Sequence, residues 1–239
     1  MRILITNDDG IQGEGLLHLV NWAKKLGEVV VAAPKVEQSA KSHTIEIHKS
    51  FEAKKVDYFP GVTTYAVDSS PADCIRLMVL GLQEKFDLVL SGINRGLNVG
   101  ADIMYSGTVA AVFEAAALGM KAIAVSTEPK AISVAWEELD RVWEYFCKHD
   151  LLEKHGIYNV NIPMNAGEIR ITRQGGPYYS DDFLPEENDM FRPKGKAVYV
   201  PGCDCFDTDT VLTKRQISVM PLTTERVDLA MYEELKILN

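Results

Sequence analysis

A chain of 239 residues with 34 acidic against 25 basic side chains carries a formal net charge of −9 and no long basic run. That balance argues against a nucleic-acid polymer as partner, because such affinity rests on Lys and Arg neutralising phosphates. A small anion stays open, since a local site can be positive inside an acidic protein. Hydrophobic residues make up 46%, enough for a sizeable core in one large domain. No run of about 18 apolar residues occurs, and the apolar run in MRILITNDDG is too short for a signal peptide. The expectation is a soluble cytoplasmic protein with no membrane partner. Cys74, Cys147, Cys203 and Cys205 are few and irregularly placed, so no disulfide framework is implied.

In chain order, Arg2 to Thr6 reads as a strand buried on both faces, ended by Asn7-Asp8-Asp9-Gly10. Leu16, Leu17, Leu19, Val20, Ala23 and Leu26 recur at helical spacing before Gly27. Val29 to Ala33 is a second buried strand. This strand–helix–strand unit favours a parallel sheet. After the polar loop KVEQSAKSH, the alternation in Thr44 to His48 predicts a half-exposed strand. Tyr65 to Val67 is a short strand. Ser70-Pro71 opens a helix with Cys74, Ile75, Leu77, Met78 and Leu80 inward. Asp87 to Leu90 is another buried strand. It feeds the Gly-rich stretch Asn94 to Thr108, then a helix from Val109 to Leu118, a strand from Ala122 to Ser126 and a helix from Ser133 to Lys148. From about Tyr158 the texture changes to short strands, at Asn159 to Ile162, Glu168 to Arg173, Ala197 to Val200 and Gln216 to Met220. An amphipathic helix over Thr223 to Leu238 would close the chain. The pattern predicts an α/β fold with an open, mostly parallel, doubly wound sheet. Residues 1–157 would form the core. Residues 158–239 would form a β-rich C-terminal arm and closing helix.

In a parallel sheet, ligands bind outside the carboxyl ends of the strands. Three polar clusters follow buried strands there: Asn7 to Gly10, Gln38-Ser39, and Ser91 to Asn98. Asp8 and Asp9 are adjacent carboxylates, and two like charges packed together usually need a cation or a shared proton. The plainer reading is a solvated turn in which Asp9 caps the next helix. Oxygen donors Ser39 and Asn94 on neighbouring strand ends strengthen the metal reading. An all-oxygen set suits Mg²⁺ or Mn²⁺, and the lack of nearby His or Cys argues against zinc. His43 reads as a substrate contact or loop residue. Ser106-Gly107-Thr108 precedes a helix. It is either an ordinary N-cap or a phosphate cradle built from the Gly107 and Thr108 N–H groups and two hydroxyls. Cys203-Asp204-Cys205 could hold a soft metal, but no second pair accompanies it, and loop thiols are the plainer reading.

No Walker A sequence, no G-x-G-x-x-G after the first strand and no G-x-S-x-G elbow is present. Asp8 and Asp9 are consecutive, unlike the D-x-D of aspartyl-phosphate phosphatases. A metal-activated water is therefore a better nucleophile than a covalent aspartate.

Taken together, ITNDDG, the serine of VEQSAKSH, SSPADCIRL, LVLSGINRGLNVGADIMYSGTVAAVFEAAALGMKAIAVS, DTDTVL and ISVMPLT resemble the SurE family, stationary-phase survival proteins that act as metal-dependent 5′/3′-nucleotidases. The matching stretches run from residue 3 to about 223. The resemblance implies that Asp8, Asp9, Ser39 and Asn94 bind one divalent cation and that Asn98, Ser106, Gly107 and Thr108 surround the phosphate. It also implies a Rossmann-like fold and homodimers or homotetramers with exchanged C-terminal arms. The family's usual residues are replaced at Ala40, Ser69 and Ser70, Ala115 and Glu14. None of these is a proposed ligand.

The expected reaction is hydrolysis of a nucleoside monophosphate to nucleoside and phosphate, with Asp8 or Asp9 positioning the water. Base preference, 5′ against 3′ position and short polyphosphate as a substrate stay open. Two other classes are a non-catalytic nucleotide sensor and a glycosyltransferase-like enzyme using Asp8-Asp9 for a nucleotide-sugar.

Overall fold

The chain was analysed as a computed structural model, which describes residues 1–238. Its first half alternates strands and helices except for the run β2 to β4: β1 (Arg2–Thr6), α1 (Glu14–Ala23), β2 (Glu28–Pro34), β3 (Ala53–Val56), β4 (Thr63–Val67), α2 (Pro71–Arg76), β5 (Leu88–Arg95), α3 (Gly107–Ala117) and β6 (Lys121–Thr127). Then come α4 (Ile132–Glu137), α5 (Leu139–Lys148), the single turn α6 (Leu151–Lys154) and β7 (Ile157–Ile162). The rest holds β8 (Ile169–Ile171), β9 (Tyr179–Ser180), β10 (Phe183–Pro185), β11 (Phe191–Pro193), β12 (Lys196–Ala197), β13 (Ile217–Pro221) and α7 (Leu229–Leu235).

Nine strands form one sheet in the order β3-β4-β2-β1-β5-β6-β7-β13-β8. The pairs from β4 through β7 are parallel, while β3 and β13 run antiparallel to β4 and β7. The central strands read as continuous apolar runs because both faces are covered. On one face Ile3, Ile5, Val31, Leu90 and Val125 pack under Leu16, Leu19 and Val20 of α1 and Leu139, Val142 and Phe146 of α5. On the other, Leu4, Val30, Val89 and Ala124 pack against Ile75 and Met78 and against Val109, Val112 and Ala115 of α3. The sheet is therefore doubly wound, as its alternation predicts.

The differences have physical causes. Thr44 to His48 is not a strand. Glu46 N–H donates to Asp73 Oδ2 at 2.8 Å, and the sheet edge is taken by β3 instead. Leu80 is 52% exposed, because α2 runs into a wider π-helical turn, Leu77–Gly81, that rotates it outward. Leu17, on the outer face of α1, is also exposed. The helix expected over Ser133 to Lys148 breaks at Glu138 into α4 and α5. Strands β7, β13 and β8 join the central sheet, and among the described residues the pairs β9–β12 and β10–β11 lie outside it. The final helix spans Leu229–Leu235 rather than Thr223 to Leu238, with a 3₁₀ turn after it, and buries no residue.

Candidate active site

The carboxyl ends of β1, β2, β5 and β6 meet where the first turn of α3 begins. Strand β1 ends at Thr6, and Gly10, at φ +90°, turns the chain away. Asn7 Nδ2 closes that turn on Gly10 O at 2.8 Å. Asp9 does not cap α1: the N-cap is Gly13, with no side-chain bond.

Asp8 is 4% exposed. One carboxylate oxygen accepts the Thr108 N–H at 3.1 Å and the other accepts the Thr108 hydroxyl. A helix N-terminus favours an anion, and here Asp8 is that anion. Gly107 makes the approach possible, since a Cβ there would lie 2.9 Å from Asp8 Cβ. Burial raises the Asp8 pKa to about 6, and Asp9 adds to the rise, while the Thr108 hydrogen bonds oppose it. Asp9 is likewise raised by burial, against a hydrogen bond from Arg95 N–H to its Oδ2 at 3.1 Å. Among the described residues neither carboxylate forms an ion pair.

Strand β5 supplies Asn94 through an irregularity. Its register against β6 shifts between Ser91 and Asn94, which re-aims the strand end. Gly92 sits at φ +134°, and a Cβ on it would fall 2.2 Å from Val125 O. Asn94 Nδ2 donates to Gly96 O at 2.8 Å, which leaves the amide oxygen as an acceptor. The Arg95–Asp9 bond puts this residue next to the acidic pair.

Ser39 follows β2 and is exposed. Gln38 N–H donates to Asp8 O at 2.7 Å, so its loop adjoins Asp8, and the Ser39 hydroxyl donates to Glu37 Oε1 at 2.6 Å. That loop is anchored further on: Ser42 Oγ donates to Met104 O at 2.6 Å, and His43 Nε2 lies 2.8 Å from Glu114 Oε2. Arg76 Nη1 holds the other oxygen of Glu114 at 3.0 Å. His43 and then Arg76 keep the Glu114 carboxyl below its usual range against its burial. His43 is thus a loop anchor.

Asn98 is held on four sides. Its N–H donates to Asn161 Oδ1 at 2.9 Å, and its carbonyl accepts from Asn159 and Asn161 Nδ2, each at 2.8 Å. Its own Nδ2 donates to Ser126 Oγ at 2.8 Å. Ser106 Oγ accepts the Val109 N–H at 3.1 Å as the α3 N-cap. Both readings of Ser106 therefore share one atom, and Thr108 spends its N–H and hydroxyl on Asp8.

Asp8, Asp9, Ser39 and Asn94 thus come from three strand ends to adjoining positions, with Asn98 and Ser106 to Thr108 on the neighbouring loop. Sequence reasoning missed Glu37, Arg95, Asn159, Asn161 and Ser126. The signal for Glu37 and Arg95 was their adjacency to proposed ligands. The asparagines of β7 had only their placement at a strand end. Beside Asp9 opens a cavity of about 230 Å³ lined by Glu37, Arg95, Gln12, Glu14 and Ile132. Another, of about 630 Å³, reaches Ser106 and is lined by His43, Ile103, Phe113, Gln174 and Arg226.

The donor set fits a hard divalent cation. A buried carboxylate and a half-buried one, both with raised pKa values and neither in an ion pair among the described residues, lie beside a free amide oxygen and a hydroxyl, with no thiol or imidazole among them.

A family model described as "Survival protein SurE" matches residues 3–181. The "5'-nucleotidase SurE" of Thermoanaerobacter sp. (strain X514) is 38% identical over 253 residues, covering 100% of this chain and 97% of that one. The protein of the same name from Caldanaerobacter subterraneus subsp. tengcongensis is 38% identical over 255 residues, covering 99% and 96%. Among solved structures, "Crystal Structure of Sure Protein from Aquifex aeolicus" superposes with a TM-score of 0.80 at 30% identity, covering 100% of this chain and 99% of that one. With its sheet order, its strand-end site and these full-length matches, the chain belongs to the SurE family.

Proposed function

We propose that this chain is a phosphomonoesterase that hydrolyses nucleoside monophosphates to nucleoside and inorganic phosphate, with a divalent metal requirement. Its relatives' printed activity supports the reaction. The observation that carries it to this chain is the adjacent carboxylate pair of buried Asp8, bound at the head of α3, and half-buried Asp9, neither in an ion pair among the described residues. Asp8, Asp9, Ser39 and Asn94 would hold one ion, with Mg²⁺ or Mn²⁺ favoured by the oxygen donors. When bound, that ion supplies charge neutralisation and acidifies water.

The chain's own residues do the rest. Thr108 fixes the rotamer of Asp8. Asp8 or Asp9 orients the attacking water and takes its proton. Ser106 Oγ–H, the Gly107 N–H and the Asn98 side chain meet the phosphate oxygens, and the first turn of α3 favours their charge. The larger cavity beyond Ser106 has apolar walls in Ile103 and Phe113 and polar groups in Gln174 and His43, a lining suited to a nucleoside. Catalysis of this kind is mainly positioning and electrostatics.

The reading includes a homodimer or homotetramer, supported by exposed Phe183, Phe191, Leu229 and Ile237 in the last third. Residues 158–239 are proposed as the assembling portion. A cytoplasmic location is supported by four cysteines that are all free. No helix among the described residues is long and apolar enough to cross a membrane.

The test is phosphate release from a panel of nucleoside monophosphates after EDTA treatment, and again with Mg²⁺ or Mn²⁺ restored. Release should stop on chelation and return with metal. Release indifferent to chelation overturns the metal requirement. Nucleotide binding without any release moves the chain to the sensor class.

A further inference from the structure

The turn Cys203 to Phe206 lies apart from the groups assigned to hydrolysis. Phe206 N–H donates to Cys203 O at 2.9 Å, so Cys203 is the first and Cys205 the third residue of a hydrogen-bonded β-turn. That geometry folds the Cys203 side chain over the residue two ahead. Cys205 N–H points at Cys203 Sγ, 3.4 Å away. Both thiols are partly exposed. Asp204 between them is tied down by Lys214 at 2.6 Å.

A second element supplies a cation to one of the two sulfurs. Arg173, just past β8, donates its Nε–H to Cys205 Sγ at 3.2 Å. Its guanidinium lies 4.8 Å from the centroid of the Phe206 ring, and its main chain is clasped to the turn: Arg173 N–H donates to Cys205 O at 2.8 Å, and Asp207 N–H to Arg173 O at 2.9 Å. Among the described residues Arg173 forms no ion pair with a carboxylate. The Cys203 thiol holds the Cys205 thiol below its usual range; burial opposes it, and the Arg173 guanidinium adds to the lowering. Structural buried thiols are inert by comparison. Cys74 lies wholly inside the core with its thiol pushed far up by burial. Cys147 is exposed but has no such partner among the described bonds.

We propose that Cys203 and Cys205 form a thiol–disulfide exchange site, with Cys205 the attacking thiol and Cys203 the resolving one. The reaction partner is a low-molecular-weight disulfide. The Cys205 thiolate attacks one sulfur of that disulfide and expels one small thiolate. Cys203 gives its proton to solvent and attacks Cys205 Sγ, expelling the second small thiolate, which takes up a proton. Two protein thiols lose two electrons, and the small disulfide gains them as two thiols. Arg173 favours the first step by stabilising the thiolate. A residue spacing of two inside a closed turn keeps the second sulfur close enough for the last step. A soft-metal pair is the competing reading of the same motif.

The test treats the full chain with oxidised glutathione, blocks remaining thiols with iodoacetamide and maps the peptides by mass. The expected product has lost two hydrogens, carries a Cys203–Cys205 link and keeps Cys147 open to alkylation. Cys203→Ser should instead stop at a mixed disulfide on Cys205. In the reduced protein, Cys205 should alkylate at least about fivefold faster than Cys147, an advantage that Arg173→Gln reduces and Arg173→Lys largely keeps. Retained nucleotidase turnover in these variants confirms that they are folded. Oxidation that goes first to Cys147, or a Cys205 no faster than Cys147 in the native chain, overturns the proposal. So does a mixed disulfide that never closes on Cys203.

Discussion

Asp8 meets two opposing demands, and both are measurable. Its folded pKa of about 6 lies above the ordinary carboxylate value of 3.8 because it is buried. A raised carboxylate pKa contributes stability that is complete below the unfolded value and disappears as pH rises through the folded one. Under the proposed function a cation at Asp8 needs the ionised form, so metal and proton would compete for the same oxygens. The stabilisation by Mn²⁺, read as a thermal shift, should therefore be small at pH 5 and grow by pH 8. A shift flat over that range removes Asp8 from the ligand set. Asp8→Asn should cut turnover by at least about a hundredfold while the circular dichroism spectrum stays that of a folded chain. Near-native turnover in that variant discards the assignment. The sequence showed two adjacent carboxylates at a strand end, but the same spacing read more plainly as a solvated turn with Asp9 capping the next helix. Glu37, Arg95 and Asn161 were not legible, since their roles depend on which strand ends become neighbours.

Strand β5 and helix α1 act as one unit in shaping the site. Within the irregularity at Ser91 to Asn94, Ile93 O faces Gly15 of α1, where an added Cβ would stand 1.9 Å away. An ordinary Gly→Ala change inside a helix gains up to about 1 kcal/mol. Here the sign should reverse: Gly15→Ala should cost about 2–3 kcal/mol in urea unfolding and lower turnover by displacing Asn94. Gly156→Ala, with open space around it, should stay within about 1 kcal/mol of the parent. Equal stabilities in the two variants refute the close packing. Element identity was legible for β1, β2, β5, β6, α1 and α3, whose apolar periods are strong. It failed at Thr44 to His48, where alternation lacked a partner strand, and at Glu138, where an unbroken apolar stripe hid a break.

At the scale of the whole molecule, the single chain leaves apolar surface uncovered. Phe183 and Phe191 on the β10–β11 pair are each 62% exposed, and α7 buries nothing. Wild-type protein should sediment as a dimer or tetramer at micromolar concentration, and Phe183→Ser with Phe191→Ser should shift it toward smaller species with the strand-end site intact. A monomeric wild type refutes the assembly. By itself, the sequence determined the parallel doubly wound core and the polar strand ends, because hydrophobic period and strand-end chemistry are local properties of the chain. Tertiary structure alone decided that β7, β13 and β8 extend the sheet, that Thr108 serves Asp8, and that Asn159 and Asn161 hold Asn98. Those outcomes depend on which segments lie side by side across long sequence separations, and no local pattern encodes that.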